Sequence, residues 1–95
     1  MRNYEVLYII SPNVDEDGVK NTIERYNKIL TDNGAEIEKV DEVGKKRLAY
    51  EINDFRDGYY VVTYIKGTAD ATNEFDRLVK IDDNVIRHLV VRNDD

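Results

Sequence analysis

Apolar residues run almost without a break from Tyr4 to Ile10, in YEVLYII, and the run stops at Ser11, Pro12 and Asn13. Such β-favouring residues ended by turn formers predict a strand, and the near-continuous apolarity predicts burial on both of its faces. From Asp15 the period lengthens. Val19, Ile23, Tyr26 and Leu30 recur at helical spacing, with Ile29 widening the stripe. Asp15 is placed to cap this helix, Glu16 and Asp17 suit the positive end of its dipole, and Asn33 with Gly34 supplies a left-handed exit.

Alternation then resumes over residues 35–52. Ile37 and Val40 break parity before Leu48, Tyr50 and Ile52 restore it, which predicts a bulge or bend near Val43 and Gly44. The run NDFRDG, Asn53 to Gly58, reads as the turn of a long hairpin whose second strand is Tyr59 to Lys66. Ala71, Phe75, Leu78 and Val79 mark a second helix over residues 69–81, with Thr68 or Asp70 as its cap. A turn at Asp82, Asp83 and Asn84 leads to a last strand, Val85 to Arg92.

This order is β-α-β-β-α-β, which predicts an α+β fold, a ferredoxin-like split sandwich. Its four-stranded antiparallel sheet has strand order 4-1-3-2, and right-handed crossovers put both helices on one face. The other face is left open. Val61, Thr63 and Ile65 are assigned to the helix side and Tyr60, Val62 and Tyr64 to the open side, because a buried tyrosine hydroxyl needs a partner. By the same parity Glu5, Leu7 and Ile9 face outward. Scattered surface aromatics are ordinary, but several converging on neighbouring strands fit a contact surface. Base stacking would suit such a face. The segment DGYYVVTYI lacks the basic-glycine-aromatic opening of an RNA-recognition motif, which favours a protein partner.

With 95 residues, 41% of them hydrophobic, residues 1–95 form one domain with one modest core. The start, MRNYEVLYII, shows neither a cleavage pattern nor a membrane-length apolar run, so a soluble, cytosolic protein is expected. Cysteine is absent, which removes thiolate chemistry, disulfides and iron–sulfur ligation. Ser11 and His88 are the sole residues of their kinds, and the five glycines are too scattered for a phosphate loop. His88 has no second histidine or cysteine to complete a metal site and fits a packed edge-strand position better. A net charge of −6 argues against bulk attraction to nucleic acid, leaving only local cations to make phosphate contacts.

The densest such cluster is Lys45, Lys46 and Arg47, whose side chains alternate in direction on an extended strand. Charge alone fits equally a solvated edge that resists aggregation. Arg2, Arg87 and Arg92 add cations on the first and last strands, which are neighbours in this topology; an ordinary edge surface accounts for them equally well.

GKKRLAYEIN, Gly44 to Asn53, resembles the signature of the bacterial small-subunit ribosomal protein six family: glycine, any residue, basic, polar, leucine, small, tyrosine, any residue, isoleucine, polar. MRNYE and DNVIRHLVVR are similar to that family's two ends, and the element order agrees throughout. The resemblance implies a structural, non-catalytic component of the small ribosomal subunit, in the cytoplasm, with no cofactor, no membrane and no small-molecule substrate. It implies binding to the central domain of small-subunit ribosomal RNA together with ribosomal protein eighteen, and a monomer when free. Carried over by position, Arg2, Lys45, Lys46, Arg47, Arg87 and Arg92 are the candidate RNA contacts. Leu48, Tyr50, Tyr60, Val62 and Tyr64 are the candidate partner interface. The tail ends at Asp95, shorter than in some members, so a longer tail's contact is not expected.

Two other readings share the element order. An acylphosphatase-like enzyme would need a phosphate cradle where SPNVDEDG carries Asp15, Glu16 and Asp17, which repel phosphate. A regulatory domain dimerising through its open face would instead sediment as a homodimer.

Overall fold

A computed structural model describes residues 2–52 and 55–93, and the side chains of these apart from 49–52 and 55. The elements are β1 (Arg2–Ile10), α1 (Glu16–Asp32), β2 (Glu36–Ile52), β3 (Phe55–Gly67), α2 (Ala69–Val79) and β4 (Val85–Arg92). They form a four-stranded sheet in the order β2-β3-β1-β4, with every pair antiparallel. The expected topology is therefore present, with β1 and β3 central and β2 and β4 at the edges.

The helix stripes bury the sheet face on which Tyr4, Val6, Tyr8, Ile10, Val61 and Ile65 stand, through Ile23, Tyr26 and Leu30 of α1 and Ala71, Phe75 and Val79 of α2. Each fully buried aliphatic contributes about 1.5–3 kcal/mol relative to exposure. At the centre Tyr8, Tyr26 and Phe75 stack pairwise, with ring centroids 5.3 Å apart for Tyr8–Tyr26 and Tyr26–Phe75 and 5.9 Å for Tyr8–Phe75. Such pairs add about 0.5–1.5 kcal/mol each beyond their burial. The Tyr26 hydroxyl and the Arg25 guanidinium both donate to the Asp82 carboxylate, fastening α1 to the turn before β4. Burial, and then that bond to Asp82, push the Tyr26 phenol far above its ordinary pKa, so it stays a donor at neutral pH.

Asp15 caps α1 as expected, its carboxylate accepting from Gly18 N at 2.7 Å. Thr68 occupies the α2 cap position without a side-chain cap bond. The predicted bulge is present in β2: Gly44 adopts φ +95°, and the register slips by one residue between Glu42 and Gly44, leaving Val43 without an opposite number.

Several boundaries differ from those the pattern predicts, β2 beginning at Glu36 and β3 ending at Gly67 among them. β1 begins at Arg2, because Arg2 and Asn3 pair with Gly67 and Lys66. α2 ends at Val79, and Ile81, outside the helix, is 76% exposed. The hairpin differs most. Phe55 to Gly58 belong to β3 instead of the turn, while Asn53 and Asp54 lie outside the described residues. Gly58 was misleading because it serves packing here: a Cβ on it would stand 2.4 Å from Ile9 Cγ2 and 3.2 Å from the Ile10 carbonyl oxygen. Ile9 and Ile86 lie across this glycine, so Ile9, though on the open face by parity, is buried.

Gly58→Ala should therefore destabilise the fold by about 1–3 kcal/mol, since a β-branched methyl cannot swing aside without changing χ1. Urea unfolding should show a lowered midpoint at unchanged slope; an unchanged midpoint would mean that Ile9 yields at no cost. A second expectation concerns acid. Asp76 accepts from Lys80 at 2.7 Å and lies 3.0 Å from His88 Nε2 on β4. The Lys80 bond first, then His88, hold its pKa below the ordinary aspartate value. A depressed folded-state pKa stabilises the fold above the ordinary aspartate range, and that contribution is lost as the pH falls through the lowered value. Asp76→Asn should lower stability near neutrality and leave it less sensitive to acid, measured by urea unfolding across that range.

Candidate protein and nucleic-acid interface

The pairing register lays out the face that the helices leave open as three cross-strand rows. The first joins Arg87, Ile9, Tyr60 and Gly44; the second Leu89, Leu7, Val62 and Asp41; the third Val91, Glu5, Tyr64 and Lys39. Leu7, Tyr60, Val62 and Tyr64 are half-buried, while Leu89 and Val91 are 50% and 41% exposed. The outward parity expected for Tyr60, Val62 and Tyr64 thus holds. Lys39 Nζ stands 5.8 Å from the centre of the Tyr64 ring, and Asn93 Nδ2 donates to Glu5 Oε1 at 3.1 Å. Polar groups, Asp41 at the β2 end among them, therefore border the apolar trio Leu89, Leu7 and Val62, the pattern of a protein contact surface.

Two of the five expected interface residues stand apart. Leu48 is only 8% exposed, so the chain itself already covers most of it. The side chain of Tyr50 lies outside the described residues, although its backbone belongs to β2. Leu89 and Val91, absent from the sequence assignment, extend the face across β4. Their signal was the alternation of Arg87, Leu89 and Val91, which becomes informative only once β4 is set in register with β1.

The six candidate cations fall into separate groups. Arg2 lies opposite Gly67 and Arg92 opposite Tyr4, so both have helix-side parity and stand at one end of the sheet. Arg87 has open-face parity and lies opposite Ile9, five residues further along β1 than Tyr4, or ~17 Å at strand spacing. Lys45, Lys46 and Arg47 pair with Tyr59, Gly58 and Asp57. They occupy the same end as Arg87, with Lys46 on the open face and its neighbours on the other. A shallow opening of about 430 Å³ at this hairpin is lined by Lys45, Lys46, Arg47, Arg56 and Asp57. Arg56 lies in FRDG, whose composition predicts a turn, so its place on β3 emerges only from the fold.

A larger groove, about 670 Å³, lies between α1 and the β2–β3 hairpin, with Val19, Ile23, Val40 and Tyr59 among its lining. Glu16, Glu24 and Glu42 outnumber Lys20 and Lys45 there, which opposes phosphate. Ser11 and His88, the one serine and the one histidine of the chain, have separate partners. Ser11 Oγ accepts from Asn13 N at 3.2 Å within its turn, whereas His88 faces Asp76 and the Phe75 ring. No helix among the described residues is long and apolar enough to cross a membrane.

Comparison with known proteins gives one consistent result. The family model for ribosomal protein S6 matches residues 3–92. The small ribosomal subunit protein bS6 of Shouchella clausii is 64% identical over 94 residues, spanning 99% of each chain. That of Halalkalibacterium halodurans is 59% identical over 95 residues, spanning 100% of each. The crystal structure of 30S ribosomal protein S6 from Thermotoga maritima superposes with a TM-score of 0.93 at 33% identity, over 97% of this chain and 87% of that one.

Proposed function

The chain belongs to the ribosomal protein S6 family of the small ribosomal subunit, and from that premise we propose that it binds the central domain of small-subunit ribosomal RNA cooperatively with ribosomal protein eighteen. The family is one of ribosomal structural proteins. One observation carries the finer reading. The apolar rows of the open face run directly into the cationic hairpin end, where Arg87 and Lys46 border the row of Ile9 and Tyr60. A protein on the apolar rows and an RNA strand at the hairpin would then be neighbours.

Charge supports the cooperative form of this reading. A chain of net charge −6 gains little from bulk attraction to RNA, so its cations must act locally. A basic partner docked on the open face supplies further counterion release and is itself steered by the acidic surface. The free protein is then a monomer whose open face waits for a different chain.

Titrating a central-domain RNA fragment with this protein, alone and with ribosomal protein eighteen, tests the reading. Binding should be weak alone and much tighter together; tight, salt-insensitive binding by the lone protein would contradict it. Lys46→Ala and Arg47→Ala should each lower the salt slope of RNA binding by about one. Tyr64→Ala should weaken pairing with the partner protein and leave that slope unchanged, as followed by calorimetry. Equal effects of both kinds of change on protein pairing, with none on RNA, would defeat the assignment of surfaces.

A further inference from the structure

The hairpin opening contains a cation outside the signature run. Register places Arg47 opposite Asp57 and Lys46 opposite Gly58, which draws Lys45, Lys46 and Arg47 beside Arg56 of the neighbouring strand. Among the described residues, four cations and one carboxylate line this opening. A cluster of this charge suits a hydrated polyanion. Lys45 and Arg47 project from the same side of β2 two residues apart, ~6.6 Å at strand spacing, comparable with the step between successive phosphates on an RNA backbone.

Resting on the RNA-binding reading above, the geometry points to Arg56 as a further RNA-backbone contact, acting with Lys45, Lys46 and Arg47, and to Asp57 as the group that limits the site's affinity. A guanidinium can grip a phosphate through two N–H donors at once, which a lysine cannot. Among the described lining residues, Asp57 sets one carboxylate among four cations and lowers their summed charge from +4 to +3. It therefore opposes phosphate in proportion to its nearness. Substitutions at adjacent positions should act in opposite directions, an outcome that a merely solvated edge strand would not produce.

The test is filter binding of the central-domain RNA fragment by the complete protein with ribosomal protein eighteen, over a salt series. Arg56→Ala should weaken binding about fivefold and lower the salt slope by about one. Arg56→Lys should recover part of the affinity and the whole slope, and Asp57→Asn should tighten binding by a few-fold. Circular dichroism melts confirm that each variant folds. If wild-type protein and the Lys46→Ala variant behave as proposed above while Arg56→Ala and Asp57→Asn match wild type, the hairpin assignment fails and the RNA-binding reading stands. If wild-type protein with its partner does not bind the fragment, the reading itself fails.

Discussion

Two helices can cover only one face of a four-stranded sheet, and the organisation of this molecule follows from that limit. α1 and α2 bury Tyr8, Val61, Ile65 and their neighbours almost completely. The same central strands must still present every second residue to the other side. Here these positions carry Leu7, Val62, Tyr60 and Tyr64, joined by Leu89 and Val91 from the edge strand. Removing such a surface from water is the dominant favourable term in most protein association. An open face of this kind is a cost to a solitary chain and an asset to a chain built for assembly.

The hairpin gathers local cations on an otherwise acidic chain. Its cations are concentrated at the far end of β2 and β3, and of them Lys45 also borders the α1 groove with its glutamates. Packing determines how far this ribbon extends. Gly58 admits Ile9 and Ile86 across β3, so the strand continues through Arg56 and Asp57 where the sequence suggests a turn. The bulge at Gly44 restores open-face parity to Lys46 after the irregular stretch around Val40. Backbone irregularity and side-chain chemistry are thus coupled in one element.

Periodicity made the element order, strand order and covered face legible, because helix stripes and strand alternation record burial directly. Val61, Thr63 and Ile65 lie under the helices and Tyr60, Val62 and Tyr64 opposite them, as alternation alone implies. The hairpin boundary was illegible, since Asp57–Gly58 has the same composition in a turn and in a strand that receives a neighbour's methyl group. The grouping of the cations was equally hidden. Arg87 and Arg92 are close in sequence, yet register gives them opposite faces of the sheet. Leu48, an interface candidate through the family resemblance, is covered by the fold itself.

The central claim is that protein and RNA take adjacent but different parts of the surface. Amide chemical-shift mapping on isotope-labelled protein addresses it directly, with ribosomal protein eighteen added first and the central-domain RNA fragment second. The account predicts that the partner perturbs the rows around Leu7, Val62 and Leu89, and that RNA then perturbs Lys45 to Arg47 with Arg56 and Asp57. Partner shifts confined to the groove between α1 and β2, with the open face unmoved, would contradict it.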